Sequence, residues 1–174
     1  VVAHYPDFCQ PEVANHALLL LLSVARKVVA HDRSIREGNY RGVPLGYSPP
    51  LTGETLGIVA LGNIGRQMAT RAKGIGMNVM AFDPYLPDSV FGEIGATRAQ
   101  SMEELLELSD HVTIHTPLND ETRGLMNEAA FRRMKPTAIY VNTARGPVHN
   151  QEDLVSALES GEIFGAGLDV FVPE

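Results

Sequence analysis

The sequence has one cysteine, no tryptophan, and fewer basic than acidic residues, 14 against 21. A lone cysteine, Cys9, excludes an internal disulfide and is typical of a reducing compartment, so we expect a cytoplasmic location. The formal net charge of −7 argues against nucleic acid or an anionic membrane as a partner. An apolar fraction of 44% is nevertheless ample for a globular core.

No apolar run is long enough to cross a bilayer. The longest, residues 17–25, contains five consecutive leucines and is soon followed by Arg26 and Lys27. A transmembrane helix needs about 20 apolar residues, and the residues before the run lack the basic start of a signal peptide. We therefore predict a buried helix over residues 11–30, with Pro11 in its first turn.

From residue 55 onward, apolar runs of strand length alternate with helical stretches. The apolar runs lie at 56–61, 77–82, 111–115, 137–141 and 164–170, and the predicted helices at 64–74, 101–108, 127–134 and 151–160. Ser101, Asn127 and Asn150 precede the last three helices as N-caps. This alternation predicts an α/β domain with a doubly wound parallel sheet, a Rossmann fold with helices on both faces.

The stretch GIVALGNIG, residues 57–65, ends a predicted strand and opens a helix. It resembles the G-x-G-x-x-G turn that binds dinucleotides, with Ala60 in place of the first glycine and Gly62 and Gly65 in position. A βα turn that merely needs glycine is the alternative. Ala60 adds only a methyl group, and we expect its cost to be small provided that its φ is negative.

Each position of this turn has a predicted role in holding a dinucleotide. Gly62 lets the backbone approach the pyrophosphate, and Gly65 lets helix and strand pack closely. The backbone amides of Asn63 and Ile64 point at the phosphates, with the positive end of the helix behind them.

Asp83 ends the next predicted strand, 18 residues after Gly65. A ribose-binding carboxylate is expected roughly 20 residues after the turn. Asp83 would accept hydrogen bonds from the ribose hydroxyls and repel a 2′-phosphate, and residues 84–89 contain no Arg or Lys to bind one. The sequence therefore predicts NAD as the cofactor.

Three later segments leave strands at the edge where such sheets bind ligands. They are HTPLNDETRG (115–124), VNTARGPVHN (141–150) and GLDVFVPE (167–174). Arg145 could hold a substrate carboxylate through two parallel hydrogen bonds. The alternative is that Arg145 is a surface arginine and Asp169 a cap.

Five ordered motifs resemble the D-isomer-specific 2-hydroxyacid dehydrogenases: LTGETLGIVALGNIG, AFDPY, HTPLNDETRGLMN, MKPTAIYVNTARGPV and GLDVFVPE. The resemblance covers essentially the whole chain. It implies hydride transfer between NADH and a small 2-oxo acid or D-2-hydroxy acid. An NAD-sensing scaffold like the C-terminal-binding corepressors, or a formate dehydrogenase, remains the alternative.

The resemblance also implies residue roles. The pyrophosphate and ribose positions fall on Asn63, Ile64 and Asp83. The resemblance implies that His115, Thr116 and Pro117 lie beside the adenosine half of the cofactor. It also implies that Thr143 and Ala144 lie near the nicotinamide and that Asp169 holds the carboxamide.

Catalysis in the family pairs a histidine with a glutamate. Arg145 matches the arginine that binds the substrate, and Glu174, 29 residues later, matches that glutamate. The paired histidine is expected downstream, so we expect this chain to be an excised domain that binds NAD with little turnover. No metal is expected: His111 and His115 are about 13 Å apart along a strand, too far for one ion.

The resemblance further implies the domain layout and a partner. Residues 1–10 are expected to be a remnant of the substrate-domain connection and 11–174 the NAD-binding domain, with its Rossmann core at 55–174. The helix at 11–30 links the domains and is expected to pair two copies in a homodimer. A helix that packs only on its own sheet is the alternative.

Overall fold

The computed structural model describes residues 8–39 and 46–173. Its centre is a six-stranded sheet, in which every pairing is parallel and the spatial order is β3-β2-β1-β4-β5-β6. This is the doubly wound order of dinucleotide-binding folds, and the predicted fold class is confirmed. The strands are β1 (Thr55–Val59), β2 (Asn78–Phe82), β3 (Thr97–Arg98), β4 (His111–Ile114), β5 (Ile139–Asn142) and β6 (Gly165–Leu168).

Seven α-helices surround the sheet in the described part of the chain. They are α1 (Gln10–Ala25), α2 (Val28–Arg36), α3 (Asn63–Gly74), α4 (Asp88–Ile94), α5 (Met102–Leu108), α6 (Glu128–Arg133) and α7 (Gln151–Ser160). The three predicted N-caps are confirmed, because each side chain accepts a backbone N–H of the first turn of its helix: Ser101 from Glu104, Asn127 from Ala130, and Asn150 from Glu152 and Asp153.

The helices form two layers, one on each face of the sheet. Buried residues of α1, α3 and α4 pack with one face of β1 and β5, around Leu21, Met68 and Phe91. Buried residues of α5, α6 and α7 pack with β4 and the other face of β5, around Leu105 and Phe131. The strands of such a sheet are apolar on both faces because both faces are covered.

The predicted single helix over 11–30 is wrong. The chain breaks at Arg26 and Lys27, and Lys27 takes a left-handed φ of 52°. The two resulting helices, α1 and α2, meet at 62°. No single helix in the described ranges is long and apolar enough to cross a membrane, although the bent pair α1–α2 reaches that length and composition when counted together.

Two elements were not predicted from the sequence. They are helix α4, which connects β2 to β3, and the two-residue strand β3, which pairs with β2 at the edge of the sheet. Both are too short to leave a clear hydrophobic period. The predicted strand at 164–170 is also shorter in the structure, because β6 ends at Leu168.

Candidate functional site

A groove lies at the carboxyl edge of the sheet, where the strand order reverses between β1 and β4. Neighbouring crossovers run to opposite sides at this point, which leaves a crevice that binds ligands in open α/β sheets. Two cavities, of about 330 Å³ and about 1010 Å³, occupy the crevice. They adjoin, because Gly62, His115, Thr116 and Pro117 line both.

The glycine-rich turn lies between the two cavities, and Ala60 does not meet the condition set from the sequence. Its φ is +69°, in the left-handed region. A non-glycine residue pays about 1–2 kcal/mol there because its Cβ crowds the following carbonyl oxygen. The turn therefore keeps the conformation that a glycine favours, and the alanine bears strain.

Gly62 and Gly65 occupy different environments, as predicted. A Cβ built on Gly65 would lie 2.3 Å from the carbonyl oxygen of Ala60, so only glycine allows α3 to approach β1 this closely. A Cβ on Gly62 would meet nothing within 4 Å, which leaves open space above the turn. No side chain caps the first turn of α3, so the amides of Asn63 and Ile64 begin the helix at the groove.

Asp83 follows β2 and lines the smaller cavity. Its carboxylate accepts two backbone N–H groups, from Leu61 at 3.0 Å and from Tyr85 at 3.0 Å, one on each oxygen. The side chain is therefore fixed by the turn and by its own loop. Each oxygen retains further acceptor capacity for a ligand hydroxyl.

The loop after β4 carries polar atoms without protein partners. His115 Nδ1 and Thr116 Oγ1 are buried and lack hydrogen bonds, and Thr143 Oγ1 after β5 is in the same state. All three residues line the larger cavity with Pro117 and Ala144. A ligand in this cavity would supply the partners that buried polar groups usually have.

His115 is half-buried with its ring Nδ1 shielded from solvent, and desolvation of the ring lowers its pKa to about 4. Its Nε2 lies 3.1 Å from Thr113 Oγ1. The ring is therefore neutral near pH 7 and offers hydrogen bonds rather than a positive charge.

Arg145 lies at the far side of the larger cavity, and its side chain is exposed. The residue that holds its loop, Asn142, was not recognised from the sequence. Asn142 is fully buried, donates to the Arg145 carbonyl at 3.0 Å and accepts from Ala144 N–H at 2.9 Å. Its amide nitrogen also lies 2.9 Å from Nδ1 of the buried His149.

Asp169 is a predicted site residue that stands apart from this groove. Asp169 is exposed, lines neither of the two described cavities, and pairs with His16 of α1 at 3.3 Å. Its N–H donates to the Asn142 carbonyl, which keeps it beside β5. Glu174 lies outside the described residues. Among the described residues, no group of three His, Cys, Asp or Glu side chains could hold a metal ion.

The strand order, the glycine turn, the acid after β2 and the helix start at the groove define a dinucleotide-binding domain. The family described as D-isomer specific 2-hydroxyacid dehydrogenase, NAD binding domain, matches residues 18–174. The chain belongs to this family, and its cofactor is NAD.

Similar proteins share this assignment. The chain is 43% identical to the glyoxylate reductase of Korarchaeum cryptofilum, and the match covers 99% of this chain and 53% of that protein. The structure matches the holo form of Rhodotorula graminis D-mandelate dehydrogenase with a TM-score of 0.91 and 37% identity, covering 97% of this chain and 51% of that one. It also matches Aquifex aeolicus D-lactate dehydrogenase, solved with NAD and lactic acid, with a TM-score of 0.90 and 30% identity, covering 99% and 51%. The chain thus spans about half the length of these relatives.

Proposed function

We propose that the protein to which this chain belongs transfers a hydride between NADH and a small 2-oxo acid or D-2-hydroxy acid. The observation that supports this is the layout of the groove, which has the carboxylate of Asp83 in its smaller cavity and the guanidinium of Arg145 on its larger one. A dinucleotide laid from Asp83 across Gly62 brings its nicotinamide toward Arg145.

Arg145 is proposed to bind and orient the acid substrate. Its fork of N–H donors matches a carboxylate through two parallel hydrogen bonds, and a further donor can polarise the carbonyl that accepts the hydride. The buried amide of Asn142 holds the backbone of this loop, so the point from which the Arg145 side chain extends is fixed. Positioning of this kind removes much of the entropic cost of the reaction.

The proton is proposed to come from a histidine paired with Glu174, as the resemblance implies. His115 lines the groove but does not suit the role of proton donor, because its pKa of about 4 leaves it unprotonated near neutral pH. We therefore propose that the 174-residue chain by itself binds NAD(H) and turns over little.

Binding by this chain tests the proposal. NADH is titrated by its fluorescence, and the NADH complex is then titrated with oxamate, an unreactive 2-oxo acid analogue. Arg145→Ala should weaken oxamate binding by roughly 10- to 100-fold, the worth of charge-assisted hydrogen bonds, and leave NADH affinity nearly unchanged. Arg133→Ala removes the same charge from an exposed ion pair between α6 and α5 and is the control.

Equal oxamate binding by the parent and Arg145→Ala would contradict the assigned role of Arg145. Binding of a short peptide in place of the acid would favour the corepressor-like scaffold. Turnover of a 2-oxo acid at rates typical of whole enzymes would contradict the claim that this chain is inactive alone.

We also propose a reducing, cytoplasmic setting and a homodimer formed through the α1–α2 region, with residues 11–174 as the NAD-binding domain. Cys9 is a free thiol, and exposed apolar side chains on this face include Leu19, Val28, Val29 and Ile35. Light scattering tests the pairing: Val29→Glu should shift a dimer toward monomer, and a monomeric parent at high concentration would contradict it.

A further inference from the structure

The smaller cavity lies between two loops. One follows β2 and contributes Asp83, Pro84 and Tyr85. The other follows β4 and contributes seven lining residues: His115, Thr116, Pro117, Asn119, Glu121, Thr122 and Leu125. Apolar side chains, including Val59, line its wall. A cavity of about 330 Å³ with such walls accommodates the adenosine half of the cofactor.

A hydrogen bond joins the tips of the two loops. The Tyr85 hydroxyl donates to Glu121 Oε2 at 2.5 Å. The bond raises the pKa of the Tyr85 phenol, with the Glu121 charge as the next cause and the Asp83 charge as a minor one. The carboxylates of Glu121 and Asp83 therefore both act on the Tyr85 phenol at one end of the cavity.

Each side of this contact is supported by its own loop. The backbone N–H of Tyr85 donates to Asp83 Oδ1 at 3.0 Å, so the cofactor-binding acid also positions Tyr85. On the other side, Asn119 Oδ1 accepts the backbone N–H groups of Glu121 at 3.0 Å and Thr122 at 2.9 Å. Glu121 therefore projects from a closed turn rather than from a free loop.

We propose that Glu121 is a second residue that selects NAD over NADP, held at the adenosine cavity by Tyr85. The proposal rests on NAD binding in the groove described above. Among the described residues that line this cavity, two are carboxylates, Asp83 and Glu121, and none is Lys or Arg. A 2′-phosphate would bring a dianion into this field, whereas the 2′-hydroxyl of NAD would not. A charge pair several ångströms apart near a protein surface is worth a few-fold to about tenfold in affinity.

The test is a titration of NADH and of NADPH against this chain at low and at high salt. Glu121→Gln keeps the size and an acceptor for Tyr85 but removes the charge. It should lower the ratio of the NADPH to the NADH dissociation constant by roughly three- to tenfold at low salt, with a smaller effect at high salt because the charges are partly exposed. Tyr85→Phe should lower the ratio in the same direction by less, because Glu121 is released but still charged.

The matched control is Glu159→Gln, which removes one negative charge from an exposed position on α7. A ratio unchanged by Glu121→Gln, or changed equally by Glu159→Gln, would overturn the proposal. A ratio unchanged by Tyr85→Phe would overturn the part that assigns Tyr85 to holding Glu121. Failure of the parent chain to bind NADH would instead contradict the cofactor site itself, so the two failures are distinguishable.

Discussion

The carbonyl oxygen of Ala60 lies 2.3 Å from the place where a Cβ on Gly65 would be. Two positions of one turn therefore have different tolerances: residue 60 carries a methyl group at a left-handed φ, whereas residue 65 has no space for one. The turn accepts strain at its first glycine position because that strain is local. At the third position a side chain would separate α3 from β1.

Gly65→Ala should destabilise the fold by about 2–3 kcal/mol, as overpacking of a tight contact does, and should weaken NADH binding at least tenfold because the start of α3 moves. Gly62→Ala is the matched control. It meets no neighbour within 4 Å and its φ of −69° suits alanine, so stability should change little, while NADH affinity falls because the methyl group enters the groove. Urea unfolding and NADH titration measure both quantities, and equal losses of stability would contradict this account.

Ala60→Gly should stabilise the protein. The variant removes about 1–2 kcal/mol of left-handed strain and adds about 0.5–1 kcal/mol of backbone entropy cost, which leaves a gain of about 0–1.5 kcal/mol. Ala129→Gly, at an exposed position within α6, should instead cost about 1 kcal/mol. Urea midpoints compare the two variants, and a loss of stability in Ala60→Gly would show that residue 60 is not strained.

Stability should fall as the pH is lowered below about 6.5. Burial lowers the pKa of His111, His115 and His149 in the folded state. Protons then bind the unfolded state more tightly, so full stability is present above the ordinary pKa of 6.5 and is lost toward the folded value, about 4 for His115. Between about pH 7 and about pH 5, His115 alone should account for a loss of about 2 kcal/mol.

Unfolding free energies at these two pH values measure the effect. In His115→Asn the loss should be smaller by that amount, because the residue no longer titrates. A loss of stability of the same size in both proteins would show that burial of His115 does not cause the loss at low pH.

Asn142→Ala should cost about 2–4 kcal/mol. The variant leaves the Arg145 carbonyl, the Ala144 N–H and His149 Nδ1 without their shared partner in a buried site. Asn78→Ala is the control, because its side-chain bond to the Gly53 carbonyl is exposed and should cost under about 1 kcal/mol. Urea unfolding of both variants measures the difference, and similar small losses would contradict a supporting role for Asn142.

Much of the fold could be predicted because its signals are local. Ser101, Asn127 and Asn150 cap helices within three residues of themselves, and the apolar runs mark the major strands. Asp83 and the glycine turn are separated by one βα unit, so their shared position follows from strand order alone. The groove could therefore be predicted from the sequence.

Other features depend on contacts that are distant in sequence. No glycine or proline lies between residues 12 and 37, yet Lys27 adopts a left-handed φ and divides the predicted helix. Tyr85 and Glu121 are 36 residues apart, and His16 and Asp169 lie at opposite ends of the chain, yet each pair is in contact in the fold. Ala60 illustrates a further limit, since its sign of φ is set by the neighbouring backbone rather than by its own preference.

The two backbone hydrogen bonds of Asp83 make this position costly to substitute first on a path from NAD to NADP specificity. An amide at position 83 has one acceptor oxygen in place of two, so replacing the aspartate removes either the Leu61 or the Tyr85 contact. A change at position 121 disturbs no such backbone bond. An evolutionary or engineered path to NADP is therefore easier to begin at Glu121, with position 83 altered only once the turn has gained other support.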